Sequence, residues 1–237
     1  MKNSVVVFAP HPDDEILGCG GTLAKRIREG YDVFIVFLTD GRNALRDVGI
    51  LSDPSPEELK EIRKKEAISA AKVVGLSPDN LVFTGVEDGF LSQNEKIAME
   101  AVNDALRKTP TEVYFPQEKE FNVDHRVAYR LVKSGISSLN ITPREFQYVI
   151  AWQYPLNILP RIPHLGAKRY LMSRLLNLSV IGSDITQFLE TKKKALREYQ
   201  SQFGIVSKKQ DKPAYGNSFT KRFLKKEEEF FVFPWAS

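Results

Sequence analysis

The chain has 237 residues, of which 42% are hydrophobic and 27% are charged, a balance that supports a large core and excludes a disordered chain. A single cysteine excludes an internal disulfide and is typical of a reducing compartment, so we expect a cytoplasmic protein. The sequence contains no stretch of about 20 apolar residues, so we expect no membrane-spanning helix. The pI near 9.0 comes without any nucleic-acid-binding motif, so we expect no nucleic-acid partner.

The order of apolar segments predicts one α/β domain over residues 1–237, with a core of about 1–152 and a C-terminal elaboration of about 153–237. Near-continuous apolar strands that alternate with helices predict a Rossmann-like, mainly parallel sheet covered by helices on both faces. The predicted strands are 4–9, 33–38, 81–83, 113–115 and 146–152, with a last strand or docked tail at 230–233. The predicted helices are 17–29, 56–74, 97–107, 126–134 and 191–199.

Chemically active side chains follow the first predicted strand. His11, Asp13 and Asp14 stand at the carboxyl end of that strand, where ligands bind in open α/β sheets. Imidazole together with carboxylate suits zinc or another first-row divalent metal. Because adjacent Asp side chains usually point apart, we expect one to bind the metal and the other to act as general base. An acidic helix N-cap beside an exposed histidine is the alternative interpretation.

A second histidine strengthens the metal interpretation. The chain has three histidines, and His125 lies beside Asp124 between the strand 113–115 and a predicted helix, like His11 after the first strand. A His, an Asp and a distant His would leave one coordination position open for water. That arrangement is typical of a catalytic zinc site.

The segment 9–15 resembles the signature of the LmbE/PIG-L family of zinc-dependent N-deacetylases. The similarity covers roughly residues 4–135 and continues, in the family's order, through 18–22, 38–41, 63–67, 88–89 and 124–126. The resemblance implies one Zn²⁺ per chain. It also implies removal of an N-acetyl group from an N-acetylhexosamine-containing (GlcNAc-type) substrate, either a free N-acetylated sugar or a glycoconjugate.

The resemblance also implies roles for individual residues. His11, Asp14 and His125 match the zinc ligands, and Asp13 matches the general base that activates water. Asp124 matches an acidic residue beside the third ligand, and we group it with the catalytic residues.

One position departs from the family pattern. Asn122 stands where many members carry a histidine that stabilises the oxyanion or protonates the leaving amine. Asn can donate a hydrogen bond to an oxyanion but cannot deliver a proton at neutral pH. We therefore expect either Asp13 or His164 to protonate the amine, and we group Asn122 with the catalytic residues. The alternative functions are a metallohydrolase acting on another amide and a catalytically impaired member that still binds zinc and sugar.

The substrate-binding residues are predicted on weaker patterns. Arg63 and Asp88 match positions that contact the sugar in family members. By spacing alone, Arg63 would form a surface ion pair with Glu66, and Asp88 would belong to a turn. We expect Arg42 at the entrance of the site and His164, on the proline-rich loop 154–164, as a cap over it.

Charge is divided unevenly along the chain. Residues 161–237 carry a net charge of +8, and residues 1–160 carry −4. The apolar residues of 170–178 within this basic tail fit either an amphipathic helix packed on the core or a helix that contacts an anionic membrane or a lipid-linked substrate. We expect Lys192–Lys194 to be solvated, and homo-oligomer formation is left open. Cys19 fits a buried packing residue better than a thiol nucleophile.

Overall fold

The computed structural model describes residues 3–46, 49–50, 52–151 and 179–232. The strands are β1 (Ser4–Ala9), β2 (Asp32–Phe37), β3 (Leu81–Phe83), β4 (Glu112–Pro116), β5 (Arg144–Tyr148), β6 (Ser179–Asp184) and β7 (Glu227–Val232). The longer helices are α1 (Asp14–Arg28), α2 (Pro56–Val74), α3 (Glu95–Leu106), α4 (Val123–Ser138) and α5 (Leu189–Glu198). Two one-turn helices follow, α6 (Gln200–Phe203) and α7 (Asn217–Thr220).

The seven strands form one sheet in the order β3-β2-β1-β4-β5-β7-β6. The first five strands in this order pair in parallel, so their carboxyl ends lie at one edge. The chain runs outward from β1 to β3 and then returns to β4 on the other side of β1. This reversal creates a crevice between the ends of β1 and β4, which is where ligands bind in such sheets.

Strand β1 explains why the sheet needs helices on both faces. Val5 and Val7 pack into one hydrophobic cluster, whereas Val6 and Phe8 pack into another. The first cluster includes residues of α1, α2 and α5, and the second includes residues of α3 and α4. Because successive side chains of a strand point to opposite faces, a continuous apolar run requires cover on both sides. The predicted Rossmann-like fold is therefore confirmed.

The sheet is extended by two antiparallel strands. β7 pairs with β5 through Gln147 and Phe231, and β6 pairs with β7 along its whole length from Ser179 to Asp184. The sequence analysis missed β6, because its only bulky apolar residues are Val180 and Ile181. It also extended the strand that ends at Tyr148 as far as residue 152.

Two helices begin three residues earlier than predicted. α1 begins at Asp14 instead of residue 17, and α4 begins at Val123 instead of residue 126. The side-chain oxygen of Asn122 accepts a hydrogen bond from Asp124 N at 2.7 Å and caps α4. His125 consequently lies in the first turn of a helix, where its direction is fixed.

The glycine-rich start of α1 serves close packing. A Cβ atom added at Gly18 would lie 2.6 Å from the ring of Tyr148, and one at Gly21 would lie 2.5 Å from Ile185. Cys19 between them is fully buried, and burial raises the pKa of its thiol well above the usual value. A buried, protonated thiol is a packing residue, as predicted.

The prediction for Lys192 was wrong. Its side chain is 1% exposed and donates hydrogen bonds to Leu17 O and to Glu228. The loop predicted at 154–164 and the helix predicted at 170–178 lie outside the described residues. In the part of the chain that the structure describes, none of the helices has the length and apolar character needed to cross a membrane.

Candidate metal centre

The tight turn after β1 brings a histidine and two carboxylates to the crevice. The backbone N–H of His11 donates to Asp14 Oδ2 at 3.0 Å, which folds the turn onto the start of α1. Asp13, between them, has φ 131° and ψ −26°, a conformation that non-glycine residues rarely adopt. All three side chains are buried at the carboxyl end of β1.

Three side-chain atoms converge in the crevice. Asp14 Oδ2 lies 3.3 Å from His11 Nδ1 and 3.1 Å from His125 Nε2, and the two nitrogens are 3.2 Å apart. Ligands bound at 2.0–2.1 Å around a tetrahedral zinc ion lie about 3.3 Å from one another. His11, Asp14 and His125, the metal group, therefore fit a divalent metal in both donor type and spacing, and all three line the pocket.

The outer nitrogens of the two histidines face carboxylates. His11 Nε2 lies 3.1 Å from Asp88 Oδ1 and 3.5 Å from Asp124 Oδ2, and His125 Nδ1 lies 3.8 Å from Glu120 Oε2. Metal-binding histidines usually direct their second nitrogen toward such a group, which fixes the ring and the tautomer.

By distance, His11, Asp88 and Asp124 could also hold an ion. They share His11 with the first group, however, and a neutral ring that binds a metal through Nδ1 carries its N–H at Nε2, which faces the two carboxylates. Asp124 in addition accepts hydrogen bonds from Gly89 N at 2.8 Å and Leu91 N at 3.3 Å, so it holds the loop that carries Asp88.

Asp13 lies beside the metal group and outside it. Its Oδ1 is 3.4 Å from an Arg63 nitrogen. Burial raises the pKa of Asp13 to about 7, although the positive charge of Arg63 opposes this rise. A carboxylate with a pKa near neutrality is suited to accept and return a proton.

Arg63 does not form the surface ion pair that spacing alone suggests. Its side chain is 2% exposed and donates to Gly41 O at 3.3 Å and to Pro12 O. Glu66 instead accepts hydrogen bonds from Ser201 N and Oγ at 2.7 and 2.6 Å. Arg63 therefore braces the turn after β1 and reaches the pocket only with part of its side chain.

Of the remaining predicted site residues, some line the pocket and others do not. Asp88 and Asn122 line the pocket, and the guanidinium of Arg42 is bound to Asp40 and Glu57. Arg42 is not among the described residues that line the pocket. His164 lies outside the described residues.

A pocket of about 700 Å³ opens over the metal group. The sequence analysis did not single out several residues that line it. These are Leu17, Asn43, Ala44, Gly89, Phe90, Glu120, Phe121, Val123, Ile150, Ala151, Tyr215 and Phe219. Glu120 follows β4 at the same sheet edge as His125, a signal that could have identified it, whereas Tyr215 comes from a distant segment without any motif.

A family model described as PIG-L, GlcNAc-PI de-N-acetylase, matches residues 6–136. The chain is 28% identical over 202 residues to a diacetylchitobiose deacetylase of Thermococcus kodakarensis, covering 84% of this chain and 70% of that protein. A solved N,N′-diacetylchitobiose deacetylase from Pyrococcus horikoshii is similar with a TM-score of 0.67 at 20% identity, covering 98% of this chain and 84% of that one. A 4-carboxy-2-hydroxymuconate hydratase from Pseudomonas putida is similar with a TM-score of 0.71 at 18% identity, covering 100% of this chain and 98% of that one. Since both reactions occur on this fold, the fold alone does not identify the reaction.

The matched region 6–136 spans more than half of the chain and runs from β1 into α4. It contains all three residues of the metal group and Asp13. The chain therefore belongs to the PIG-L (LmbE-like) family.

Proposed function

We propose that this protein is a zinc-dependent N-deacetylase that hydrolyses the acetamide of an N-acetylhexosamine unit of the GlcNAc type. The observation that carries the proposal is the set of distances of 3.1–3.3 Å among His11, Asp14 and His125, with Asp13 beside the set. A zinc ion held by these residues would supply Lewis acidity to an amide carbonyl and to a water molecule. Relatives named as diacetylchitobiose deacetylases support the sugar substrate.

Asp13 serves as the general base in this proposal. Its carboxylate takes a proton from the attacking water, and Arg63 keeps that carboxylate in place. The same carboxyl group can return the proton to the departing amine, which an amide hydrolysis requires. His164 is the other candidate for this second transfer.

Other pocket residues bind the substrate and the developing negative charge. Asn122 uses its amide oxygen for the helix cap and retains the amide nitrogen as a donor for an oxyanion. Asp124 orients His11, whereas Asp88 on the pocket wall can accept a hydrogen bond from a sugar hydroxyl. The contacts of Arg42 with Asp40 and Glu57 argue against a direct substrate role for this residue.

We further propose a cytoplasmic location, based on the single cysteine. The charge of +8 in residues 161–237 supports contact with an anionic membrane or a lipid-linked form of the substrate.

The experiment is elemental analysis of the purified protein together with amine release from N-acetylglucosamine, N,N′-diacetylchitobiose and a lipid-linked N-acetylglucosamine. We expect one zinc per chain and acetate released in step with amine. Zinc without amine release from any sugar, but with hydrolysis of another amide, would favour the alternative metallohydrolase. Zinc without any hydrolysis would indicate a binding protein, and a chain that takes up no zinc would contradict the proposal.

Two neighbouring variants separate the roles of the adjacent aspartates. We expect Asp14→Ala to lose zinc, and Asp13→Asn to keep zinc while kcat falls by about 10²–10⁴-fold, as for loss of a general base. Asp104→Asn, on the exposed face of α3, is the matched control and should change neither quantity. Equal zinc contents and equal rates in the two variants would contradict the assignment.

A further inference from the structure

The backbone conformation of Asp13 needs support from its surroundings. Among the described residues other than glycine, three have a positive φ: Asp13 (131°), Thr109 (50°) and Asn140 (51°). Thr109 and Asn140 lie in the ordinary left-handed region, whereas Asp13 lies far outside it. Sparsely populated conformations persist only where neighbouring groups hold them.

Glu15 supplies one contact of this kind. Its Oε2 accepts a hydrogen bond from Asp13 N at 3.0 Å, and its side chain is fully enclosed at the start of α1. A carboxylate can accept at both oxygens, so its direction depends on a second donor.

That second donor is the hydroxyl of Tyr199, which donates to Glu15 Oε1. Tyr199 is fully buried at the end of α5, more than 180 residues away along the chain. Two further contacts fix this end of α5: Ser201 donates to Glu66 on α2, and Lys192 donates to Leu17 O at 2.8 Å on α1. The Tyr199 hydroxyl is therefore held firmly against Glu15.

We infer that Glu15 and Tyr199 are positioning residues, which hold Asp13 through its backbone N–H so that its carboxylate faces Arg63 and the metal group. The inference rests on the proposed function, in which Asp13 is the base. Neither residue is among those that line the pocket. A segment of the C-terminal half thereby completes a catalytic turn whose motif lies within the first 15 residues.

The structure offers a matched control for the tyrosine. Tyr114, also buried, donates its hydroxyl to Glu112 Oε2 at 2.9 Å. Glu112 opens β4, so this pair lies at the amino-terminal edge of the sheet, opposite the metal group. Removal of either hydroxyl takes one donor from a buried glutamate, although Glu112 also accepts from Arg26 and Arg144. Only the Tyr199 hydroxyl contacts the glutamate that binds Asp13 N.

The first test measures amide hydrogen exchange at Asp13 in the metal-free protein, so it does not depend on any activity. We expect Tyr199→Phe to accelerate exchange at this amide by about tenfold or more, because Glu15 loses the donor that orients it. Tyr114→Phe should leave the Asp13 rate unchanged. Unchanged exchange in Tyr199→Phe, or equal acceleration in both variants, would overturn the inference.

The second test measures kinetics in the zinc-loaded enzyme. We expect Tyr199→Phe to lower kcat by about tenfold with KM and zinc content unchanged, since a small misplacement of a reacting group is costly. In an Asp13→Asn background the same change should alter kcat by less than about twofold, because residues that act together are not additive. Equal effects in the two backgrounds would show a merely structural role.

Glu15→Gln provides a second variant should Tyr199→Phe fail to fold. The amide of Gln has one acceptor oxygen, so only one of the two donors keeps its partner, and the effects should have the same direction. A wild-type protein that hydrolyses no N-acetylated sugar would remove the proposed function, while the exchange result would still decide whether Glu15 and Tyr199 hold Asp13.

Discussion

His11 uses its two ring nitrogens for different contacts. Nδ1 faces Asp14 and His125, whereas Nε2 lies among carboxylates, with Asp88 Oδ1 at 3.1 Å. A neutral imidazole carries one N–H, so donation from Nε2 leaves the Nδ1 lone pair free for a metal. The carboxylates around His11 thereby select the tautomer that the metal group requires.

The proposed ligands could be predicted from the sequence, whereas the supporting pair Glu15 and Tyr199 could not. His11, Asp14 and His125 each follow a strand whose carboxyl end lies at the same sheet edge, and this placement can be read from the order of apolar segments. Glu15 and Tyr199 are joined only by folding of the chain, and no local pattern links positions that far apart.

Asn122 caps α4 and is proposed to bind the oxyanion, and three substitutions separate the two roles. We expect Asn122→Ala to lower the free energy of unfolding by about 1 kcal/mol through loss of the cap on α4. Asn122→Asp keeps an oxygen acceptor, so stability should stay near wild type. Both should lower kcat, because neither retains the amide donor. Urea unfolding and steady-state kinetics provide the two measurements.

Asn122→His adds a group that can deliver a proton at neutral pH, and we expect the pH–rate profile to change in this variant. The same kcat in Asn122→Asp and in wild type would place the amide nitrogen outside the reaction. An unaltered pH–rate profile in Asn122→His would support the same conclusion.

At the scale of elements, side chains of β7 and α5 hold together the two segments of α1. The helix is kinked at Cys19, which has φ −145° and ψ 16°. The backbone N–H groups of Gly21 and Thr22, at the start of the second segment, donate to Glu228 at 2.8 and 2.7 Å. On the other side of the kink, Lys192 Nζ donates a hydrogen bond to Leu17 O. A carboxylate from β7 and an ammonium from α5 thus satisfy the groups that the kink frees.

The sequence analysis predicted the parallel core but missed the contacts that Glu228 and Lys192 make with the kinked helix α1. Helix α2 agrees with the prediction residue for residue, because Pro56 and the acidic first turn mark its start and Gly75 marks its end. A run of three lysines predicts solvated side chains at 192–194. The burial of Lys192 depends on Glu228, which lies 36 residues farther along the chain. Periodicity carries no information about such distant partners.

Loss of one partner of this buried pair should be costly. We expect Lys192→Met to lower the free energy of unfolding by about 3–5 kcal/mol, since it leaves the Glu228 carboxylate buried without its counter-charge. Lys193→Met, in the adjacent exposed pair with Glu190, should stay within about 0.5 kcal/mol of wild type. Urea unfolding monitored by circular dichroism compares the two, and equal midpoints would show that the buried pair does not stabilise the kink.

At the scale of the molecule, the site joins both halves of the chain. The metal group comes from the segments after β1 and β4, whereas Tyr215 and Phe219 close the pocket from the C-terminal side. Large, exposed apolar side chains surround the polar centre at Phe90, Phe121 and Val123. An apolar rim around an acidic centre suits a sugar ring, with its apolar faces and polar edge.

A metal bound only by the folded protein must also stabilise the whole molecule. With free zinc at about 100 times its Kd, binding adds about 2.7 kcal/mol to the free energy of unfolding. For a domain of this size the resulting rise in Tm is about 5–10 °C. We therefore expect chelation to lower Tm by this amount and zinc to restore it, as measured by differential scanning calorimetry.

The variants determine where the stabilising ion binds. Asp14→Ala should lose the zinc-dependent shift in Tm, because it removes the oxygen that lies within 3.3 Å of both histidine nitrogens. Asp13→Asn should keep the shift, since its carboxylate is no part of the ligand set. A full shift in Asp14→Ala would place the ion elsewhere, whereas loss of the shift in both variants would show that the adjacent aspartates bind it together.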